Sequence, residues 1–336
     1  MKREAVITGV GCLSSLGNDP DEFCQNIKRR LEQSTFQNGP PQDSGNGRIK
    51  NFRLDDQEIL QKYPGLDISC RYVLQAAKQA VEQAGITPAI INNYRVGVII
   101  GSTFGLIDSQ AKFLQTLYRT GKGSPLLFQQ TANNLLSGVI AYQYHMDGLN
   151  MTLYNGWTAG LDAVILAGQL IIANQVDLMV IGAVDILNET IDFHYQYKIH
   201  KKEFTKKFLP AEGAGVLILE GSEIAAHRSQ KIIGRLSGNK QCSFGNFNDY
   251  QVALENIIDD FGCDCYFANK NGTKLDDYEE EIIAAKKFEV VTMRFLMGEC
   301  GAASGVLEII YALNTGKKSL VMTAALGEMA AVMVNN

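Results

Sequence analysis

Short apolar runs that close on glycine or a small polar residue recur along the chain. Ala5–Val10 is the first, Val96–Ile100 leads into Gly-Ser-Thr-Phe-Gly, and Leu178–Ile181 leads into Gly-Ala-Val-Asp. Val216–Glu220, Cys265–Ala268, Val290–Met293, Ser319–Ala324 and Met329–Val334 follow. Short, bounded and β-rich, these runs predict strands buried on both faces. Helical periods lie between them. Ser69–Ala84 carries apolar residues at helical spacing and stops at Gly85, while Gly160–Asn174 is apolar on nearly every face and predicts a buried helix. Tyr278–Lys286 and Gly305–Leu313 predict two more. Strands alternating with helices predict an α/β layered fold. The rhythm of strand, glycine turn and long helix occurs in both halves and suggests a duplicated architecture.

Two stretches break the rhythm. Glu32–Arg53, rich in Gln, Asn, Gly and Pro, reads as loop; Leu187–Leu209, polar and aromatic, reads as a mobile surface loop or an interface segment. Within the latter, the basic stretch Lys198–Lys207 is interrupted by Glu203 and reads as a solvated loop.

Composition narrows the function classes. With 336 residues, 46% hydrophobic and 20% charged, the chain can bury one large or two smaller cores. A net charge of -5 and the lack of a long Lys/Arg run argue against a nucleic-acid partner. No apolar run approaches the roughly 18 residues of a membrane helix. The opening MKREAVITGVG reads as a strand entering a turn, without the marks of a signal peptide, so neither a membrane nor secretion is expected. Seven scattered cysteines, an odd number, fit a reducing cytoplasm. Cys263 and Cys265 have no matching Cys/His pair, so no metal is expected.

Several segments together carry a specific resemblance. AVITGVGCLSSLGND at Ala5–Asp19, VGVIIGSTFG at Val96–Gly105, NNLLSG at Asn133–Gly138, GLDAVILAGQLIIANQVDLMVIGAVD at Gly160–Asp185 and AEGAGVLILE at Ala211–Glu220 resemble the β-ketoacyl synthases of the thiolase fold. The resemblance runs from the first strand to about Gly305. It implies a five-layered α/β/α/β/α arrangement of two pseudo-duplicated halves, residues 1–220 and a truncated 221–336. The family's chemistry needs a Cys at a strand-to-helix turn as acyl nucleophile, and two His residues that assist decarboxylation. By motif, Trp157 takes the nucleophile position, Asn269 the first His, Glu299 the second His and Arg294 a lysine position. Cys300, one residue past the second His position, stands at a predicted helix start, a placement that lowers a thiol pKa. His145, His194, His200 and His227 all fall outside the catalytic motifs, so Cys300 is expected to be a packed residue. The last glycine-rich loop of the family is reduced here to Ala325-Leu326-Gly327-Glu328.

The run Trp157-Thr158-Ala159-Gly160-Leu161-Asp162-Ala163 resembles the chain length factor class, the ketosynthase beta subunit of type II polyketide synthases. That resemblance implies a subunit that is no enzyme by itself, within a heterodimeric β-ketoacyl synthase, an acyltransferase complex. Its expected partners are a Cys-His-His ketosynthase subunit and an acyl carrier protein with its phosphopantetheine-bound chain; no cofactor is expected. Pairing is expected through Leu149, Asn150, Met151, Thr152, Leu153 and Tyr154. A tunnel wall that sets polyketide or polyene length is expected from Ser109, Gln110, Phe113, Leu117 and Phe128, although Phe113 and Leu117 at i and i+4 also fit a plain core pair. Trp157 is expected to fill this chain's own pocket and leave the interface as the open route. The alternatives are a hydrolase or decarboxylase using Glu299 as base, and a degenerate scaffold.

Overall fold

The computed structural model of the protein describes residues 3–33, 47–52, 54, 57–63, 65–205 and 207–336. Most of the expected loop at Glu32–Arg53, and Lys206 of the basic stretch, lie outside the described residues. The strands are β1 (Ala5–Ser14), β2 (Val96–Gly101), β3 (Asn150–Leu153), β4 (Leu178–Asp185), β5 (Gly213–Gly221), β6 (Gly234–Ser243), β7 (Cys265–Phe267), β8 (Glu289–Val291), β9 (Ser319–Ala325) and β10 (Glu328–Asn335).

Their order is β3-β2-β4-β5-β1-β6-β10-β9-β7-β8. Numbered separately, β1–β5 and β6–β10 both run third, second, fourth, fifth, first. The pairing senses repeat as well. In each set the fifth strand pairs antiparallel with the first and the fourth, and the second runs parallel to the third and the fourth. The two sets join only where Val6 faces Arg235 and Ile7 faces Gly234. The duplication suggested by the sequence rhythm is thus an exact repeat of topology.

Three apolar clusters give the layers. Helices Ala159–Ile172 and Ala303–Ala312 pack with the inner faces of both strand sets in one central core. Helices Ile68–Gln83 and Leu135–Tyr144 cover the outer face of β1–β5. Helices Phe247–Phe261 and Leu275–Ile283 cover the outer face of β6–β10. This is the expected five-layered α/β/α/β/α fold. Every residue of β1, β2, β4 and β5 is buried, which is why their sequences read as unbroken apolar runs. Each fully buried Leu, Ile or Val there contributes about 1.5–3 kcal/mol.

The differences from expectation have local causes. β6 was not foreseen because its burial alternates along GRLSGNKQCS and half of it is polar. Val290–Met293 divides: β8 ends at Val291 and a short helix runs over Met293–Met297. Within Leu187–Leu209, Glu189–His200 is helix. Asn188 caps it by accepting from the Ile191 N–H at 2.9 Å, acidic Glu189 and Asp192 stand in its first turn, and Lys198 and His200 in its last. Lys198 is therefore helical and not part of a solvated loop. No helix among the described residues is long and apolar enough to cross a membrane.

Candidate functional site

The chain leaves β3 through a tight turn, with Gly156 at φ +87°, and enters helix Ala159–Ile172. Gly160 lets that helix press on the 298–302 segment: a Cβ there would stand 2.0 Å from the Ala302 carbonyl oxygen. Trp157 sits at this elbow, 6% exposed. Its ring lies nearly parallel to Phe208, at 9° and 6.1 Å between centroids, and 6.0 Å from Phe204. Phe204 and Phe208 stack at 4.2 Å, and Tyr195 closes the group 5.0 Å from Phe208. The Tyr195 phenol shares a hydrogen bond with the Trp157 side chain, for which the indole N–H is the donor. Burial pushes that phenol well above its ordinary pKa, and the Asp185 and Glu299 charges add to the effect.

Trp157 fills the elbow but does not close the space before it. A cavity of about 660 Å³ opens there, walled by the loop after β2, helix Glu189–His200, the 244–247 segment and the β9–β10 turn. That turn, the reduced loop, is a two-residue connection with Leu326 at φ +54° and Gly327 at φ +88°, and both residues line the cavity.

Asn269, Arg294 and Glu299 come together in a fully buried polar network. Arg294 donates to both oxygens of Glu308 at 2.9 and 2.8 Å, to the Met322 carbonyl at 2.8 Å and to the Thr323 hydroxyl at 2.7 Å. It also donates to Asn269 Oδ1, and reaches Glu299 at 3.4 Å. Glu299 accepts from Asn271 Nδ2 and from Ser304 Oγ, each at 2.6 Å. Its backbone is tied to Leu209 and Ala211. Glu279 accepts from Tyr266 Oη at 2.6 Å and from the Asn269 N–H at 2.9 Å. Burial pushes the Glu279 carboxyl up to about 7. Glu299 lies in this network and does not line the cavity, an arrangement unsuited to a base acting on a ligand there.

Asp185, at the end of β4, holds the two loops behind the elbow together. It accepts from Ser102 Oγ at 2.9 Å, from the Thr103 and Phe104 N–H groups, and from the Ala302 N–H at 2.7 Å. Burial still raises its carboxyl to about 6. Gly301, at φ +58°, is required here, because a Cβ would meet Asp185 Oδ2 at 2.4 Å. Cys300 corrects an expectation: burial pushes its thiol well above the ordinary range, against the lowering foreseen at a helix start. The thiol donates to the Glu212 carbonyl at 3.3 Å.

The other predicted residues lie on a different face. Ser109 is buried and donates its hydroxyl to Asp67 at 2.7 Å, fixing helix Ile107–Thr120. Gln110 donates to the Thr131 carbonyl and to Asn133. Phe113 and Phe128 pack ring on ring at 5.6 Å. Leu117 and Phe128 are exposed, so a plain core role does not fit them. Asn150, Met151, Thr152 and Leu153 form β3, flanked by Leu149 and Tyr154. β3 pairs with β2 on one side, and no strand among the described residues meets its other side. Sequence reasoning missed Asp185, Tyr195, Phe204 and Phe208 as site residues. The aromatic density of Leu187–Leu209 was the only trace of the three rings, and Asp185 closed a family-like motif without an assigned role.

The doubled five-stranded order, the paired central helices and the elbow facing a cavity define a thiolase-like ketosynthase fold. Two solved structures share it over the whole chain. One is described as the ishigamide ketosynthase/chain length factor, with TM-score 0.82, 19% identity and 100% of both chains covered. The other is a type II PKS acyl-carrier protein in complex with its ketosynthase bound to the hexaketide, with TM-score 0.84, 19% identity, and 100% of this chain and 99% of that one covered. The chain belongs to the beta-ketoacyl synthase family, whose N-terminal domain profile matches residues 2–225. It is 24% identical, over 92% of its length and 84% of the relative's, to 3-oxoacyl-[acyl-carrier-protein] synthase 2 of Coxiella burnetii (strain RSA 493 / Nine Mile phase I). These relatives overturn the expectation that the chain is no enzyme by itself: they are named as synthases, which are enzymes.

Proposed function

We propose that this chain takes part in acyl-chain elongation on an acyl carrier protein, as a chain-length-factor-type member of a ketosynthase pair. The observation that carries this reading is the open edge of β3, and an exposed apolar helical hairpin supports it. β3 offers unpaired backbone groups, which a second chain satisfies by strand addition. Earlier in the chain, helix Ile107–Thr120 and the short helix Pro125–Gln129 leave Leu114, Leu117, Leu126 and Phe128 exposed. Clustered exposed apolar side chains of this kind mark a surface used in assembly. The partner is a ketosynthase with the Cys-His-His set, and the chain under extension runs from its cysteine toward Gln110, Phe113, Leu117 and Phe128. A ring in its path shortens the space, and an overlong product would clash or leave ketones unpaired.

Phe113→Ala tests this. In the complex with the ketosynthase, products should lengthen while the rate of elongation holds. Phe113 is only half-buried, so the loss in stability should stay below the roughly 3–5 kcal/mol of a core Phe→Ala change. Unchanged product length in an intact complex would refute the assignment.

A further inference from the structure

The cavity before Trp157 opens to the surface, and much of its lining is aromatic. Trp157 and Phe204 lie within 26° of parallel, 6.0 Å apart, and both line the cavity as its aromatic floor. Phe208 supports that floor from behind, stacked on Phe204. Phe104, Phe244 and Phe247 bring further rings to the walls, and Phe247 is fixed by its stack on Tyr278 at 8° and 4.6 Å. Polar side chains share the rim: Lys198 is paired with Glu203 at 2.5 Å, and His194, Asn246, Thr273 and Lys274 also line the cavity. The volume of about 660 Å³ lies well within the range of small-molecule sites.

An apolar hole of this size accepts any greasy chain. A floor of near-parallel rings discriminates further, because a planar π system gains offset stacking that a saturated chain cannot. A saturated chain also gives up rotatable-bond freedom on binding, which a conjugated one has already surrendered. We propose that this cavity binds, without a covalent bond, a planar aromatic or conjugated acyl group lying on the Trp157–Phe204 floor. That the ligand is an acyl group rests on the proposed function; that it is planar rests on the rings.

The full-length chain is titrated by calorimetry with two N-acetylcysteamine thioesters, trans-cinnamoyl and octanoyl. Trp157 is the sole tryptophan, so its emission reports directly on the floor. The cinnamoyl ester should bind saturably, about tenfold tighter than the octanoyl ester, and shift Trp157 emission with the same midpoint. Phe204→Leu keeps the bulk and removes the ring. It should weaken cinnamoyl binding several-fold and octanoyl binding much less. No saturable cinnamoyl binding to the folded chain would overturn the proposal. So would equal affinities for the two esters, or an equal loss of both in the variant. Stacking-dependent binding by a chain that pairs with no ketosynthase would uphold this site and discard the subunit reading. Pairing without cinnamoyl binding would do the reverse.

Discussion

Arg294 and the carboxylates around it carry the sharpest consequences of single side chains. One guanidinium, fully buried, faces Glu308, Glu299 and, through Asn269, Glu279. Removing it leaves buried carboxylates with no cation. Arg294→Met should therefore destabilise the chain by about 3–5 kcal/mol, read from denaturant midpoints. Glu279 gives a pH signature. Its Oε1 accepts two hydrogen bonds, while its Oε2 has no hydrogen-bond partner. Burial is the largest influence on it, opposed by Tyr266, the Asn269 N–H and Arg294, and reinforced by Asp276. Its folded value of about 7 stands above the ordinary 4.5. Between these values the folded chain holds a proton that the unfolded chain has released, so stability falls as pH rises through that window. The contribution is about 1 kcal/mol per pH unit. Asp185, raised to about 6, acts in the same direction. Glu279→Gln should flatten the decline measured by urea unfolding from pH 5 to 7; an unchanged slope would show that Glu279 is ionised throughout.

Among the elements, helix Glu189–His200 shows best what the sequence concealed. Its aromatic and polar residues follow no clear apolar stripe, and only Ile191 and Tyr195 are buried. Periodicity had little to register, and the element is fixed instead by its cap. Asn188 accepts from the Ile191 N–H and donates to Asp108 on the neighbouring helix at 2.7 Å. Asn188→Ala should cost about 1–2 kcal/mol and loosen the cavity wall that carries His194 and Tyr195, a change visible as faster amide exchange over that helix. By contrast, helix Ala159–Ile172 was legible within two residues, because a segment buried on most sides must be apolar on most sides. The polar network itself was not foreseen, only the motif positions of three of its members. Asn269, Arg294 and Glu299 fall in glycine-bearing motifs whose spacing the fold holds. The aromatic floor was not foreseen either, since Trp157, Phe204 and Phe208 meet only through the tertiary fold. That distance in sequence also hid the cavity, which the bulk of Trp157 was expected to fill.

At the scale of the molecule, the repeat of strand order in two halves leaves β3 as an open edge, and the helices at 107–120 and 125–129 leave apolar surface exposed. The segment that builds this region has a further property: no Lys or Arg occurs between Lys122 and Lys198, while Asp147, Asp162 and Asp177 do. Asp162 is held by Asn155 and Gln241, each at 2.5 Å, in a recess lined by β3 residues. A second copy of the chain would bring no cation from the same segment to that recess. A different partner carrying Lys or Arg there meets complementary charge, and its association should weaken with added salt. The most direct test of the account is the native mass of this chain co-expressed with a Cys-His-His ketosynthase of the same family. The account predicts a one-to-one complex that persists through dilution and that a proline at Thr152 in β3 disrupts. A chain that stays by itself in that mixture, or a complex indifferent to the β3 substitution, would contradict it.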